Sequence, residues 1–203
     1  RKRRSSFLYE ASLILGGYFA YFGVRAISEG SAGVALENAR RLIELEQNLG
    51  LFIEPRIQNL LIGSDIIVSL VNWIYVWGHW PVIGGVAIWL FVRRPKAYRI
   101  YRNALLISGG IGLIFFVAFP AAPPRFTDLG LVDTVFSQSN VAQLLQPTDF
   151  TNEYAAFPSL HFGWSLLMAT AIFRESHQSH TRLIAWLLPA AMLLSIVATA
   201  NHF

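Results

Sequence analysis

The chain of 203 residues contains no cysteine, which excludes disulfides, thiolate metal sites and a cysteine nucleophile. Charge is also scarce. Only 14% of the residues are Asp, Glu, Lys or Arg, too few to solvate the surface of a chain that is 54% hydrophobic. Within these residues no cleavable signal peptide, low-complexity linker or internal repeat is visible. The missing repeat counts against the transporters built from duplicated halves with broken midplane helices. The net charge is +4 with an isoelectric point near 9.7, yet this does not indicate nucleic-acid binding. The basic residues sit in short segments between apolar runs, the pattern that orients membrane helices.

What the chain does contain is apolar runs. A helix needs roughly 20 residues to cross a hydrocarbon core, and inside lipid only helices satisfy their own backbone polar groups. Five spans are expected: about Phe7 to Ile27, Ile66 to Val92, Asn103 to Phe119, Phe157 to Phe173, and Leu183 to Ala200. Trp73, Tyr75, Trp77 and Trp80 crowd one end of the second, as at a headgroup layer, and Pro81 is a candidate kink. Between the first two spans, Leu42, Leu45, Leu49 and Phe52 recur at helical spacing among Arg41, Glu44, Glu46 and Gln47, which predicts an amphipathic helix in the interface. The fold class is therefore all-α: one domain over residues 1–203, a polytopic transmembrane bundle with an interfacial helix. Because it begins at Arg1, the chain is expected to be processed or trimmed.

Orientation follows from the basic residues. With the N-terminus inside, Arg1 to Arg4, residues 93–102 and residues 174–182 all face inward and hold 11 of the 16 Lys and Arg residues. The long 120–154 loop then lies outside with Arg125 as its one basic residue. This places the chain as an integral membrane protein (of the plasma membrane, for a bacterial chain) with a cytoplasmic N-terminus.

In that topology Arg125, His161 and His202 come from distant parts of the chain to one depth on the outer side. Polar residues at such a margin are costly to bury and mark candidate sites. Two histidines and an arginine suit phosphoryl chemistry. One imidazole can attack phosphorus, the other can protonate a leaving oxygen, and the guanidinium can hold the equatorial oxygens. Pro158 is suited to a first helical position, which would leave the N–H groups of Ser159 and Leu160 for an anion. The prolines of 120–124 stiffen the approach to Arg125. Competing readings are structural: a snorkelling interfacial Arg125, histidines that only bridge helices, and His79 as an interface histidine rather than a headgroup contact. His177 and His180 stand at i, i+3, but on the inner side, where a solvated turn is the simpler reading.

Pro158-Ser159-Leu160-His161 resembles the second signature of the type 2 phosphatidic acid phosphatase superfamily, and Ala200-Asn201-His202 resembles the end of its third. Ala122-Pro123-Pro124-Arg125 and Tyr75-Val76-Trp77-Gly78-His79-Trp80-Pro81 are similar to the branch that includes the inositol-phosphorylceramide synthases. The resemblance runs from about Glu37 to the end. It implies a six-helix core, of which five spans are present, and a phosphatase or phosphotransferase of the extracytoplasmic face that needs neither metal nor cofactor. It makes His202 the nucleophile and His161 the general acid, with Arg125, Ser159 and the N–H of Leu160 holding phosphate. His79, Tyr75, Pro124 and Asn201 are candidate substrate contacts. The partners implied are a lipid phosphate or phospholipid, the bilayer, and water or a sugar or polyol hydroxyl as acceptor.

The chain departs from that pattern at three points. Ala118 stands where the superfamily has a lysine, and Ile196 where it has an arginine. The aspartate that orients the nucleophile would fall beyond Phe203, so the chain is expected to lack its C-terminal end, unless Glu153 or Asp149 substitutes. The alternative function is a catalytically inactive lipid- or anion-binding membrane protein or transporter.

The absence of cysteine makes the orientation directly testable. Asp128→Cys should react with an impermeant maleimide added outside intact cells, and Lys96→Cys should react only after lysis; the reverse pattern would invert the topology.

Overall fold

The computed structural model describes residues 2–28, 32–135 and 152–203. They form nine α-helices in the order α1 Lys2–Ser28, α2 Ala32–Leu49, α3 Glu54–Leu61, α4 Asp65–Trp73, α5 His79–Arg93, α6 Pro95–Ala118, α7 Leu160–Glu175, α8 Ser179–Ala185 and α9 Leu187–Thr199. Among the described residues there is no strand, only an isolated parallel bridge between Ala121 and Ala155.

Three helical stretches are long and apolar enough to cross a membrane: Asp65–Arg93, Pro95–Ala118 and Ser179–Thr199. Their large apolar side chains point outward, as at Ile66, Ile88, Ile107, Ile114, Leu183 and Leu187. In water such a surface would drive aggregation; against lipid it is the expected boundary. Helices α1 and α7 lie where the first and fourth spans are expected. Helix α7 has 16 residues and is the hub, packed by α5, α6, α8 and α9. Its C-terminal half shares a core with the helices around it, built from Val86, Leu90, Ala97, Tyr101, Met168 and Ala171. Helix α1 lies on α6, where Glu10 accepts hydrogen bonds from Tyr98 Oη at 2.9 Å and from Arg102 Nη1. A carboxylate this deep in an apolar bundle needs such partners.

The second span is not one regular helix. Between α4 and α5 the residues Ile74–Gly78 form a π-turn, followed by Pro81. Proline has no N–H to give the carbonyl one turn back. A widened turn beside it relieves the ladder without a break. The expected kink is thus a bulge placed before the proline. The basic segment after Val92 is also shorter as a loop than expected. Pro95 opens α6, so Lys96 to Arg102 are already helical and only Arg94 lies between the helices. Proline suits that first position, where its missing N–H costs nothing.

The polar stretch before Asp65 is two helices rather than one. Helix α2 carries the expected amphipathic stretch. Its small residues Ala35 and Ala39 face inward with Asn38 and Ile43, while Leu45 and Leu49 are exposed. Alanines allow the close approach that α2 makes to Ala122, alongside Tyr154 and Phe203. Ala122 N–H donates to Ala35 O at 3.0 Å, and Asn38 Nδ2 donates to Pro120 O at 2.9 Å.

Two buried amides tie down the far end of the 120–135 segment. Gln58 on α3 donates to Val132 O at 2.8 Å and Ala198 O at 3.2 Å, and accepts from Val132 N–H at 2.7 Å. Asn72 on α4 donates to Thr134 O at 2.7 Å and accepts from Thr134 Oγ1 at 3.0 Å. Asp133 is held between them. Gln58→Ala would remove the side-chain partner of three backbone groups, Val132 O, Val132 N–H and the buried Ala198 O. It should destabilise the chain by about 2–4 kcal/mol, read as a lower unfolding midpoint in detergent; a loss under about 0.5 kcal/mol would show that this anchor is dispensable.

Candidate active site

Four segments meet at one end of the bundle. The π-turn contributes Tyr75, and His79 follows at its end. The start of α7 contributes Ser159, Leu160 and His161. The 120–135 segment brings Arg125 and Asp133, and the residues after α9 bring Asn201 and His202.

Each arrives for a local reason. Helix α9 ends at Ala200 in the left-handed region, φ 50°. This conformation stops a helix by turning its last carbonyls aside, and for a residue with a Cβ it costs about 1–2 kcal/mol. The turn sends Asn201 and His202 back over the helix end. Arg125 lies in a single 3-10 turn, Pro124–Phe126, and its N–H donates to Ala200 O at 3.2 Å. Ser159, not Pro158, caps α7. Its Oγ accepts from Phe162 N–H at 3.4 Å, and Pro158 lies outside the helix behind a cis peptide bond. Leu160 is therefore the first helical residue, and its N–H is among those a helix start leaves free of the ladder. Gly112 of α6 makes room for it: a Cβ there would lie 2.9 Å from Leu160 Cδ2.

The two histidines expected to act together do meet. The His161 and His202 ring centroids are 4.9 Å apart. His79 joins them at 4.6 Å from His161, edge to face, and Tyr75 lies 4.7 Å from His161. His202 is buried and held at both nitrogens. Nδ1 lies 3.1 Å from Ala156 O, and Nε2 lies 3.1 Å from Tyr75 Oη. A carbonyl can only accept, so Nδ1 carries the proton and Nε2 keeps its lone pair. The Nδ1 atoms of His79 and His161 are buried without a hydrogen-bond partner among the described residues.

Arg125 is fixed on two sides. Nε donates to Asp133 Oδ2 at 2.9 Å, Nη1 donates to Asn201 Oδ1, and the guanidinium stacks over Phe126 at 4.5 Å. Asn201 in turn donates to Thr199 O at 3.1 Å. A cavity of about 70 Å³ opens between Arg125 and His202, lined also by Tyr75, Asn152, Glu153 and Asn201. It would hold a few water-sized groups, the scale of a phosphoryl head rather than of lipid tails. Ser159, Leu160, His161 and His79 do not line it, and the proline at its wall is Pro123; Pro124 is buried. Glu153 lines the cavity but does not hold Nδ1, a position taken by Ala156 O. Asp149 lies outside the described residues.

Sequence reasoning passed over Asp133, Gln58 and Asn72. Asn72 carried a signal, since an amide within an otherwise apolar span demands a partner. Asp133 carried none, because its role depends on how residues 132–134 are hung from α3 and α4.

The sequence model of the PAP2 superfamily matches residues 40–203. The chain belongs to the PAP2 superfamily. Membership assigns a phosphatase-type function on lipid phosphates, and the three apolar helices fit an integral membrane protein. The match reaches the superfamily and not the branch resembling the inositol-phosphorylceramide synthases. No curated protein and no solved structure matches the chain significantly.

Burial pushes the His202 imidazole down to about 4, helped by the Arg125 and His79 charges and opposed by the bond to Ala156. The folded value lies below the unfolded one of about 6.5. The unfolded chain therefore takes up the proton first, and the stability tied to neutral His202 is full above pH 6.5 and lost as pH falls from there toward 4. The unfolding midpoint of the wild type should fall across that window more steeply than that of His202→Asn; parallel curves would show that His202 is not held neutral by the fold.

Proposed function

We propose that this PAP2 superfamily member is a lipid-phosphate phosphatase or phosphotransferase that works through a phosphohistidine on His202 at the extracytoplasmic face. The observation that carries the reading is the pinning of His202. With Nδ1–H on Ala156 O, the lone pair is on Nε2 of a histidine that lines the cavity together with Arg125.

In the first half of the reaction Nε2 forms a bond to phosphorus and the bond from phosphorus to the leaving alcohol breaks. The alcohol oxygen takes a proton from His161. In the second half an oxygen nucleophile attacks the phosphohistidine, gives its proton to His161, and the N–P bond breaks. Arg125, which lines the cavity, holds the phosphoryl oxygens; Ser159 and the Leu160 N–H, which do not line it, are the further holders that the resemblance implies. No step calls for a metal. Water as nucleophile makes the chain a phosphatase; a sugar, inositol or other polyol hydroxyl makes it a transferase. The Ala-Pro-Pro-Arg and Tyr-Val-Trp-Gly-His segments support transfer. The positive-inside pattern supports the outer location.

The test is release of phosphate and transfer of headgroup from a panel of lipid phosphates and phospholipids, with chelator present. Turnover should fall by about 10³-fold or more in His202→Ala and by about 10²-fold or more in His161→Ala. Turnover that survives both substitutions, or that is abolished by chelator, would overturn the mechanism. Binding without turnover on any substrate would favour the inactive lipid- or anion-binding alternative.

A further inference from the structure

Tyr75 touches both histidines of the site. Its ring packs on His161 at 4.7 Å and its hydroxyl lies 3.1 Å from His202 Nε2. The direction of that hydrogen bond is fixed by the other nitrogen. If Nδ1 were unprotonated, its lone pair would face the Ala156 carbonyl oxygen at 3.1 Å, lone pair against lone pair. Nδ1 therefore holds the hydrogen, Nε2 is the acceptor, and the Tyr75 O–H donates to it.

This places a donor on the atom that must become bonded to phosphorus. We propose that Tyr75 is a third catalytic side chain, which aims the Nε2 lone pair of His202 before reaction and then donates its hydrogen bond to a phosphoryl oxygen as the N–P bond forms. The inference rests on the phosphohistidine reading and goes beyond it by giving Tyr75 a role in the chemical step rather than in substrate contact.

Once Nε2 carries phosphorus it has no lone pair to offer. The Tyr75 hydroxyl, half-buried among rings, loses its acceptor, and leaving it without one is costly. The nearest new acceptor is an oxygen on the phosphorus just attached to that nitrogen. That oxygen carries charge, so the new bond is charge-assisted and stronger than the one it replaces. An interaction that strengthens along the reaction lowers the barrier instead of only tightening binding. Atoms balance without Tyr75 losing its proton: Nε2–P forms, the P–O bond to the leaving alcohol breaks, His161 gives the proton to that oxygen, and the tyrosine O–H only changes its acceptor. The π-turn gives the geometry its cause. Tyr75 lies within it and His79 follows directly, and both pack against His161. A tyrosine present for packing alone would be replaced by phenylalanine without consequence.

The experiment compares the full chain with Tyr75→Phe in lipid nanodiscs, using a radiolabelled lipid phosphate and rapid quench. Phosphohistidine formation should slow about tenfold or more while KM changes less than about threefold. The acid limb of the rate profile should move to higher pH, because the lost bond required an unprotonated Nε2. Equal rates and an unmoved acid limb would overturn the proposal alone. Turnover without any phosphohistidine, retained in His202→Ala, would overturn the underlying reading and this one with it, as would a wild type with no turnover. Should Tyr75→Phe fail to fold, ¹⁵N-histidine spectra of the wild type decide: the Nδ1–H tautomer of His202 is expected, and the Nε2–H tautomer overturns the proposal.

Discussion

The carbonyl of Ala156 accepts two hydrogen bonds, from His202 Nδ1 at 3.1 Å and from Phe203 N–H at 3.2 Å. The rest of this end of the bundle is arranged around keeping that oxygen in place. Ala156 is itself paired with Ala121, N–H to carbonyl at 3.1 Å, and Ala121 N–H returns to Tyr154 O at 3.0 Å. The 120–122 segment is in turn held by α2 through Ala35 and Asn38. A helix at the interface thus fixes a strap, the strap fixes a carbonyl, and the carbonyl fixes one imidazole tautomer. The resemblance assigns imidazole orientation to a carboxylate; here a backbone oxygen occupies Nδ1. It can set the tautomer but brings no full negative charge, consistent with an imidazole kept neutral by burial.

Arg125 depends on a parallel chain of restraints. Gln58 and Asn72 hold the backbone on either side of Asp133, and Asp133 holds the guanidinium at Nε. Neither amide touches the cavity, yet both set where its one arginine points. Buried side-chain amides do this well, because each has donors and an acceptor that must all be matched and few placements satisfy them.

Much of this was legible in the sequence. The apolar runs gave the long helices, since lipid leaves a spanning chain no other structure. The motifs gave Arg125, His161 and His202 as one cluster, because short spans force sequence-distant ends to one depth. What was not legible is informative. The stripe Leu42, Leu45, Leu49 gave an interfacial helix, and Leu45 and Leu49 are exposed as such a helix requires, but the inward face of Ala35 and Ala39 was not read, because small residues that let helices approach closely leave no apolar signal. The exact helix starts at Pro95 and Leu160 depend on caps that pattern alone resolves to a few residues. Asp133 and the Ala156 carbonyl were invisible for a different reason: one is an ordinary loop acid and the other is backbone, and only tertiary placement gives them work.

The π-turn at Ile74–Gly78 stores alignment in chain length rather than in side-chain identity. Asn72 lies before it and His79 after it, and each has its own partner on a different segment, Thr134 for one and His161 on α7 for the other. A regular helix advances about 100° per residue. Deleting one residue from the turn would restore a uniform ladder and rotate one half of the span against the other by about that angle. Either Asn72 would leave Thr134 or His79 would leave His161. The extra residue therefore behaves as a phase setting between two rotational registers of one membrane helix, and the site is sensitive to insertion and deletion there in a way that single substitutions do not reveal.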